Sequence, residues 1–487
     1  MTAIVRPLVA FAVVLGIAAC SVPPKPALPD LRNAAPLAGL PTHGDGHWPD
    51  SLWWSRYHDD QLDQLEQAAL AGNPSLAVAR TRFDTALHSV EIARAALGTS
   101  ITLNATAQRQ RLSETGLIPP QFLGFTWYNQ GDLGIQFQYD FDFWGKTRAG
   151  IVAALDEAHA QAAERNTAAL MMTTAVADTY FGWQADQARL ALARESVRAL
   201  QDYRALVAKR VERGIDPPDL LIGADAQIAA VRELEAGYAG SLPIREAALA
   251  ALLGQSPAQL PALTVKPLPA VDGALPDNVG IDLLARRADI AASRWRVEAA
   301  MQRVTQAHAE FYPDISIGAM AGLSSIDFNK MFTAGSRVFD VGPALHLPLF
   351  SLHRLRAAYG VSQAQLAAAA AQYNDTVVGA AREVATQALS LQQIAARRQQ
   401  REQQVTAMSA LRDTAAARAR RGVADERSVL TAQAQVLQQK DAAATLDAQA
   451  VSTQIALIKA LGGGYDARVT DADVPDVADD DKKSPSD

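Results

Sequence analysis

The side chains able to do chemistry are few and poorly placed for catalysis. Eight histidines stand at 43, 47, 58, 88, 159, 308, 346 and 353. Only His43 and His47 have a suggestive spacing, and their Gly/Pro-rich stretch falls short of the three or four ligands a metal centre needs. There is no phosphate-cradling glycine loop ending in Lys-Ser/Thr, no nucleophile elbow and no paired acids in a pocket-like setting. The chain reads as no enzyme, with no cofactor and no metal, so energy must come from a partner. What remains is one cysteine, Cys20, and two turn motifs, Arg213-Gly214-Ile215-Asp216 and Arg421-Gly422-Val423-Ala424. A cysteine can be acylated and an open glycine turn can be met by another protein; both are chemistries of attachment.

The setting of Cys20 defines its chemistry. Arg6 is followed by an apolar run, Leu8, Val9, Phe11, Val13, Val14 and Leu15, and small residues lead to Cys20, the layout of a signal peptide over residues 1–19. Ile17-Ala18-Ala19-Cys20 resembles the lipobox of bacterial lipoproteins, which implies a lipid on Cys20; the alternative is an ordinary cleaved signal peptide with a chance cysteine. Ser21, where inner-membrane lipoproteins usually carry Asp, implies delivery to the outer membrane. Pro23-Pro24-Lys25-Pro26 and Pro29 predict an extended tether within residues 20–50.

Composition sets the class of elements behind these features. With 487 residues, 49% hydrophobic and 20% charged, the chain is too apolar for a disordered protein, and a net charge of −7 offers no general attraction to nucleic acid. An aromatic content of 6% beside abundant alanine points to long helices. Proline is absent between Pro120 and Pro217 and between Pro348 and Pro475, and each gap reads as one helix, since an interior proline costs about 3 kcal/mol. The first, from about Lys146 to Arg213, would span on the order of 100 Å. The second half copies the first: Phe143 and Leu349 open the two rods 206 residues apart, and Arg213 and Arg421 close them 208 apart. Such agreement indicates an internal duplication. The domains expected are a first repeat over 51–270, a second over 271–464 and an acidic disordered tail over 465–487.

Between the short and long helices of each half lie alternating segments. Leu133, Ile135, Phe137, Tyr139, Phe141 and Phe143 alternate with Gly134, Gln136, Gln138, Asp140 and Asp142, and Ile101, Leu103 and Ala105 alternate with Thr102, Asn104 and Thr106. The second half offers Ile315, Ile317 and Ala319, then Phe339, Val341, Leu345 and Leu347, with Pro343 suggesting a bulge or weakened pairing. The strands expected cover about 99–112, 130–143, 313–325 and 335–348. They have the length to cross a bilayer, but four strands cannot close, and an open sheet edge in hydrocarbon leaves backbone groups unpaired. Three copies give twelve strands around a polar, water-filled interior, and two give eight around an interior filled by side chains; a soluble sandwich would alternate in the same way.

Three segments carry a resemblance: Tyr139 through Lys146, Arg286-Arg287-Ala288-Asp289-Ile290 through Pro313, and Gly342 through Phe350. They look like the TolC-like outer-membrane efflux lipoproteins, the NodT group, over nearly the whole chain from Cys20 to about Gly464. The resemblance implies a mainly α fold with a membrane β-barrel: a trimeric channel-tunnel whose long periplasmic helical barrel docks on a periplasmic adaptor (membrane fusion protein) and an inner-membrane efflux pump. It implies a homotrimer in the outer membrane of a Gram-negative bacterium, in contact with outer-membrane lipid, expelling drugs or toxic compounds. The segments around Ile118-Pro119-Pro120 and Gly335-Ser336-Arg337 are similar to relatives linked with fusaric-acid resistance. The tip expected to meet the adaptor is Arg213, Gly214, Ile215 and Asp216 with Arg421, Gly422, Val423 and Ala424. Relatives narrow the closed tip with aspartates about nine residues after the second glycine; Thr431 stands there in this chain, leaving Asp425 and Glu426 as nearby acids that also suit a helix N-terminus. The alternatives are a periplasmic coiled-coil scaffold lipoprotein and the same channel fold serving type I protein secretion.

Overall fold

The computed structural model describes residues 22–27, 29–37, 46–115, 119–271, 274–277, 279–348 and 351–474. Cys20, Ile118, the Leu349-Phe350 pair and residues 475–487 lie outside them. After a short 3-10 turn, Trp53–Tyr57, the first half runs α1 (Asp60–Gly72), α2 (Pro74–Ala95), β1 (Thr99–Arg111), the one-turn α3 (Pro120–Leu123), β2 (Trp127–Phe141), α4 (Lys146–Glu212) and α5 (Asp219–Leu252). The second half repeats the order with α6 (Val279–Arg286), α7 (Ala288–Ala309), β3 (Asp314–Ser325), β4 (Arg337–His346), α8 (Leu352–Arg420) and α9 (Glu426–Ala460), and α10 (Ala467–Asp471) closes the described chain.

The rods are the frame. The alanine-rich sequences of α4 and α8 let neighbouring helices approach closely, and α4 takes the central place, buried from Ala149 to Val207. On α8 burial stops at Ile394, leaving its last turns open. The shorter helices lengthen the return helices by stacking on their ends. Asn73, which caps α2, donates from Nδ2 to the Leu252 carbonyl at the end of α5, 2.7 Å away. Arg287 plays that part in the second half, its Nη1 donating to the Ala460 carbonyl at 2.8 Å. Pro243 removes one N–H from the interior of α5; there Asp186 of α4 accepts from Ser241 Oγ at 2.8 Å and from Arg245 Nε at 2.5 Å. Gly182 provides the room for this, since a Cβ on it would collide with the Arg245 guanidinium.

A collar crosses the middle of the rods. Trp53, Trp54, Leu62 and Leu65 are buried against Val176, Tyr180 and Leu249. Asp59 accepts from Tyr180 Oη at 2.8 Å and from Lys266 Nζ at 2.7 Å, holding the loop after α5 to α4. Glu66 on α1 is fully buried with no partner for either carboxylate oxygen among the described residues; burial, then Asp63 nearby, pushes its carboxyl up to about 9.

The four strands form one antiparallel sheet in the order β1-β2-β3-β4. Its register pairs odd with odd positions throughout: Leu103 opposite Ile135, Ile135 opposite Ala321, Ala321 opposite Phe339. All odd-numbered strand residues therefore share one face, and in the single chain much of that apolar face is exposed, Leu103 to 68% and Val341 to 75%, while Phe328 and Met331 lie over Gly131 toward its far end. The even face is polar; Asp132 accepts from Thr106 at 3.2 Å and Ser324 at 2.7 Å, tying three strands.

Three expectations are corrected. The bulge at Pro343 is absent, since the pairing with β3 runs unbroken from Asp314 with His346 to Leu323 with Arg337; the proline costs the ladder one N–H donor without inserting an extra residue. The proline-rich segment is extended but docked along the body: Tyr359 Oη donates to the Pro24 carbonyl at 2.8 Å and Tyr373 Oη to that of Arg32 at 3.0 Å. Residues 465–474, expected in a disordered tail, fold onto α4, because Tyr465 and Thr470 are buried and Arg165 pairs with Asp473 at 2.5 Å.

Candidate functional site

Each long hairpin ends in a turn of the same construction. In the first, Gly214 has φ +70°; its N–H donates to the Val211 carbonyl and that of Ile215 to the Arg210 carbonyl, both at 2.9 Å. In the second, Gly422 has φ +71°, with Gly422 N–H on the Ala419 carbonyl at 2.9 Å and Val423 N–H on the Arg418 carbonyl at 3.0 Å. This paired bonding is the Schellman helix ending, whose left-handed residue costs roughly 1–2 kcal/mol for any side chain but glycine. Nothing lies within 4 Å of where a Cβ on either glycine would stand. Ile215 and Val423 point outward at 55% and 77% exposure. Open backbone with an apolar side chain on each turn is a surface suited to a partner.

Asp216 behaves differently. It is buried at 8% exposure and accepts from Arg210 Nε at 2.8 Å, Arg210 Nη2 at 3.3 Å and Arg427 Nη1 at 3.1 Å. Asp425 caps α9 by accepting from the Arg427 N–H at 3.0 Å, takes a second bond from Arg427 Nε at 2.8 Å, and lies 3.4 Å from Arg210 Nη1. Arg210, Asp216, Arg427 and Asp425 thus close a ring of alternating charge that joins one tip to the other. The Arg210 guanidinium holds the Asp216 carboxyl below its ordinary value, and the Arg427 backbone N–H, with its side chain, does the same for Asp425. Both stay ionised at neutral pH.

The eight expected tip residues therefore divide. Arg213, Gly214, Ile215, Arg421, Gly422 and Val423 are exposed at the two turns, Ala424 is half-buried, and Asp216 faces inward. Thr431 lies exposed on α9 and lines a groove of about 500 Å³ with Leu200 and Tyr203 of α4 and Leu234 and Tyr238 of α5. Below the tip, Asp441 of α9 binds Arg189 Nε at 3.1 Å, and Arg189 Nη2 donates to Tyr238 Oη at 2.5 Å, so α4, α5 and α9 are also tied side by side. Arg210 and Arg427 were not singled out from the sequence. The signal was there: at the repeat offset of 208, Asp216 matches Ala424 and Asp219 matches Arg427, so the copies differ where opposite charges meet. Among the described residues no group of three or more His, Cys, Asp or Glu is placed to hold a metal.

Comparison with known proteins fits this architecture. A family model described as outer membrane efflux protein matches residues 65–255 and 281–463. The multidrug resistance outer membrane protein MdtP of Escherichia coli K12 is 32% identical over 428 residues, 86% of this chain and 88% of that protein. MdtQ of Escherichia coli O157:H7 is 33% identical over 437 residues, 88% of this chain and 90% of that protein. Among solved structures, the outer membrane protein VceC of Vibrio cholerae superposes with a TM-score of 0.78 at 35% identity, covering 86% of this chain and 100% of that one. The outer-membrane channel OprN gives 0.81 at 26% identity, covering 90% and 99%.

Proposed function

The chain belongs to the outer membrane efflux protein family, and from that premise we propose that three copies form a lipid-anchored duct carrying drugs or toxic small molecules outward from a periplasmic adaptor and an inner-membrane pump. The protein is an outer-membrane channel, not an enzyme. The observation that carries the assembly is the sheet: in the single chain much of its apolar face is exposed, and β1 and β4 have free edges. Backbone groups on such edges find no partner in hydrocarbon unless β4 of one copy pairs with β1 of the next. Twelve strands then enclose the even, polar face as a water-filled wall.

Lipidation of Cys20 fits the course of the docked proline-rich segment. His308, in the last turn of α7 just before β3, lies 3.0 Å from the Pro23 carbonyl, so the chain next to Cys20 runs at the sheet end of the helical body, where a lipid would meet the bilayer. The exposed turns at Gly214 and Gly422 are the adaptor-docking tip, and the ring of Arg210, Asp216, Arg427 and Asp425 is the tie that holds the tip closed, with Thr431 on the wall behind it. Complementation tests the whole. Restored in a deletion strain that keeps its adaptor and pump, the gene should recover drug resistance, and outer-membrane fractions should hold heat-modifiable trimers. Monomers extractable without detergent would overturn it.

A further inference from the structure

The two ends of the sheet's lipid-facing side are not alike. At the end joined to the helices it carries Tyr139, Phe141, Ile315 and Leu345. At the far end, beyond an apolar band, the same odd positions hold Arg109 and Arg111 on β1, Trp127 on β2 and Arg337 on β4. No carboxylate of the four strands shares this face, because Asp132, Asp140, Asp314 and Asp340 all occupy even positions. All three arginines are exposed. Arg109 lies over the Trp127 ring, 5.6 Å from its centre. Arg111 pairs with Glu114 at 3.1 Å, but that pair is largely exposed and readily exchanged. Arg337 makes no ion pair among the described residues.

Closing the barrel gathers these charges. β1 ends at Arg111 and the antiparallel β4 begins at Arg337, so pairing β4 of one copy with β1 of the next brings Arg337 level with Arg109 and Arg111. Three such clusters would then ring the outer end, each at the boundary between apolar band and water, with an indole at the depth where Trp settles. A basic cluster continuous with a lipid-facing surface selects an anionic lipid headgroup. At this end of an outer-membrane channel the available lipid is the phosphorylated glycolipid of the outer leaflet. We propose that Arg109, Arg111 and Arg337 form a composite binding site for the phosphates of that glycolipid. The inference rests on reading the sheet as a membrane wall.

The test uses the full-length trimer in detergent with purified lipopolysaccharide as probe. Replacing Arg109, Arg111 and Arg337 together by Gln should weaken binding about a hundredfold, near a factor of five for each arginine at an anionic surface. The corresponding Lys variant should stay within about tenfold of the wild type, because phosphate accepts a point charge. Dephosphorylated lipopolysaccharide should bind the wild type as weakly as the intact lipid binds the Gln variant. Equal binding of intact lipid to wild type and Gln variant, or of both lipid forms to the wild type, overturns the site. Equally tight binding to phosphatidylglycerol vesicles, lost in the Gln variant, overturns the glycolipid as the occupant. Heat-modifiable migration is followed in parallel: a wild-type protein that forms no trimer overturns the membrane-wall reading itself, whereas trimers that ignore lipopolysaccharide overturn only the rim.

Discussion

The two hairpin tips share a backbone and differ in charge. Both end their rods with the same pair of carbonyl bonds and a left-handed glycine, the part of a duplicated unit that geometry preserves. After the glycine they part. The first continues Ile215-Asp216-Pro217-Pro218 and sends its acid inward; the second continues Val423-Ala424-Asp425 and, through Arg427, supplies the base that meets it at 3.1 Å. Two identical tips would have set like beside like. Divergence at a few positions turned a repeated turn into an interlocked pair, while the exposed glycines stayed equivalent and free for a partner. The rods show the same division of labour, since α4 is packed to its end and α8 is open beyond Ile394.

Substitution can break that comparison in order of consequence. Gly422→Trp should leave folded trimers in the outer membrane yet abolish export, lowering drug resistance to that of the deletion strain. Gly214→Trp should do the same if the turns are equivalent; undiminished resistance in either would remove docking from that turn. Next, exchanging charges across the tie sharpens the difference between the tips. Asp216→Arg alone should make cells several-fold more sensitive to a bulky antibiotic that the closed tip excludes, and adding Arg427→Asp should recover most of the barrier. Failure of the double variant to recover would mean that the ring does not act as a pair across the tips.

Acid should act on the same ring. Asp216 and Asp425 both titrate below their ordinary value of 3.8, so the tie is complete above about pH 4 and is lost as pH falls through their lower folded values. Conductance of purified trimers should therefore be flat from pH 7 to 5 and rise below about 4, with Asp216→Asn removing most of that rise. The smallest effect concerns the collar, where the halves also differ: α1 buries Glu66 with its apolar residues, whereas α6 buries only Val279 and Leu283. A carboxyl raised from 4.5 to about 9 loses stability for the fold as pH climbs through that interval. Glu66→Gln should raise the melting temperature by roughly a few degrees at pH 8 and by less at pH 5; an unchanged value at pH 8 would mean that Glu66 carries no such cost.

Much of this fold is written as periodicity and punctuation. The prolines bracket both rods, Gly214 and Gly422 mark both turns, and the parity of Leu133 to Phe141 survives in the register of all four strands. Features set by long-range contact were not legible. The docking of Pro24 and Arg32 depends on hydroxyls from Tyr359 and Tyr373, more than 300 residues away, and the ordering of residues 465–474 depends on their fit against α4. Composition alone made both look like free chain. The tie between the tips lay between these cases: its residues differ visibly between the repeats, but only the packed hairpins put Arg210, Asp216, Arg427 and Asp425 within reach of one another.

A twelve-stranded duct held shut by this tie should show itself in planar lipid bilayers, in the ion conductance of wild-type trimers set against Asp216→Ala trimers at pH 7. Wild-type trimers should show rare, small openings and the variant a steady conductance several-fold larger, with trimer migration unchanged. Silence from both proteins, or identical conductance from both, would contradict a duct held shut in this way.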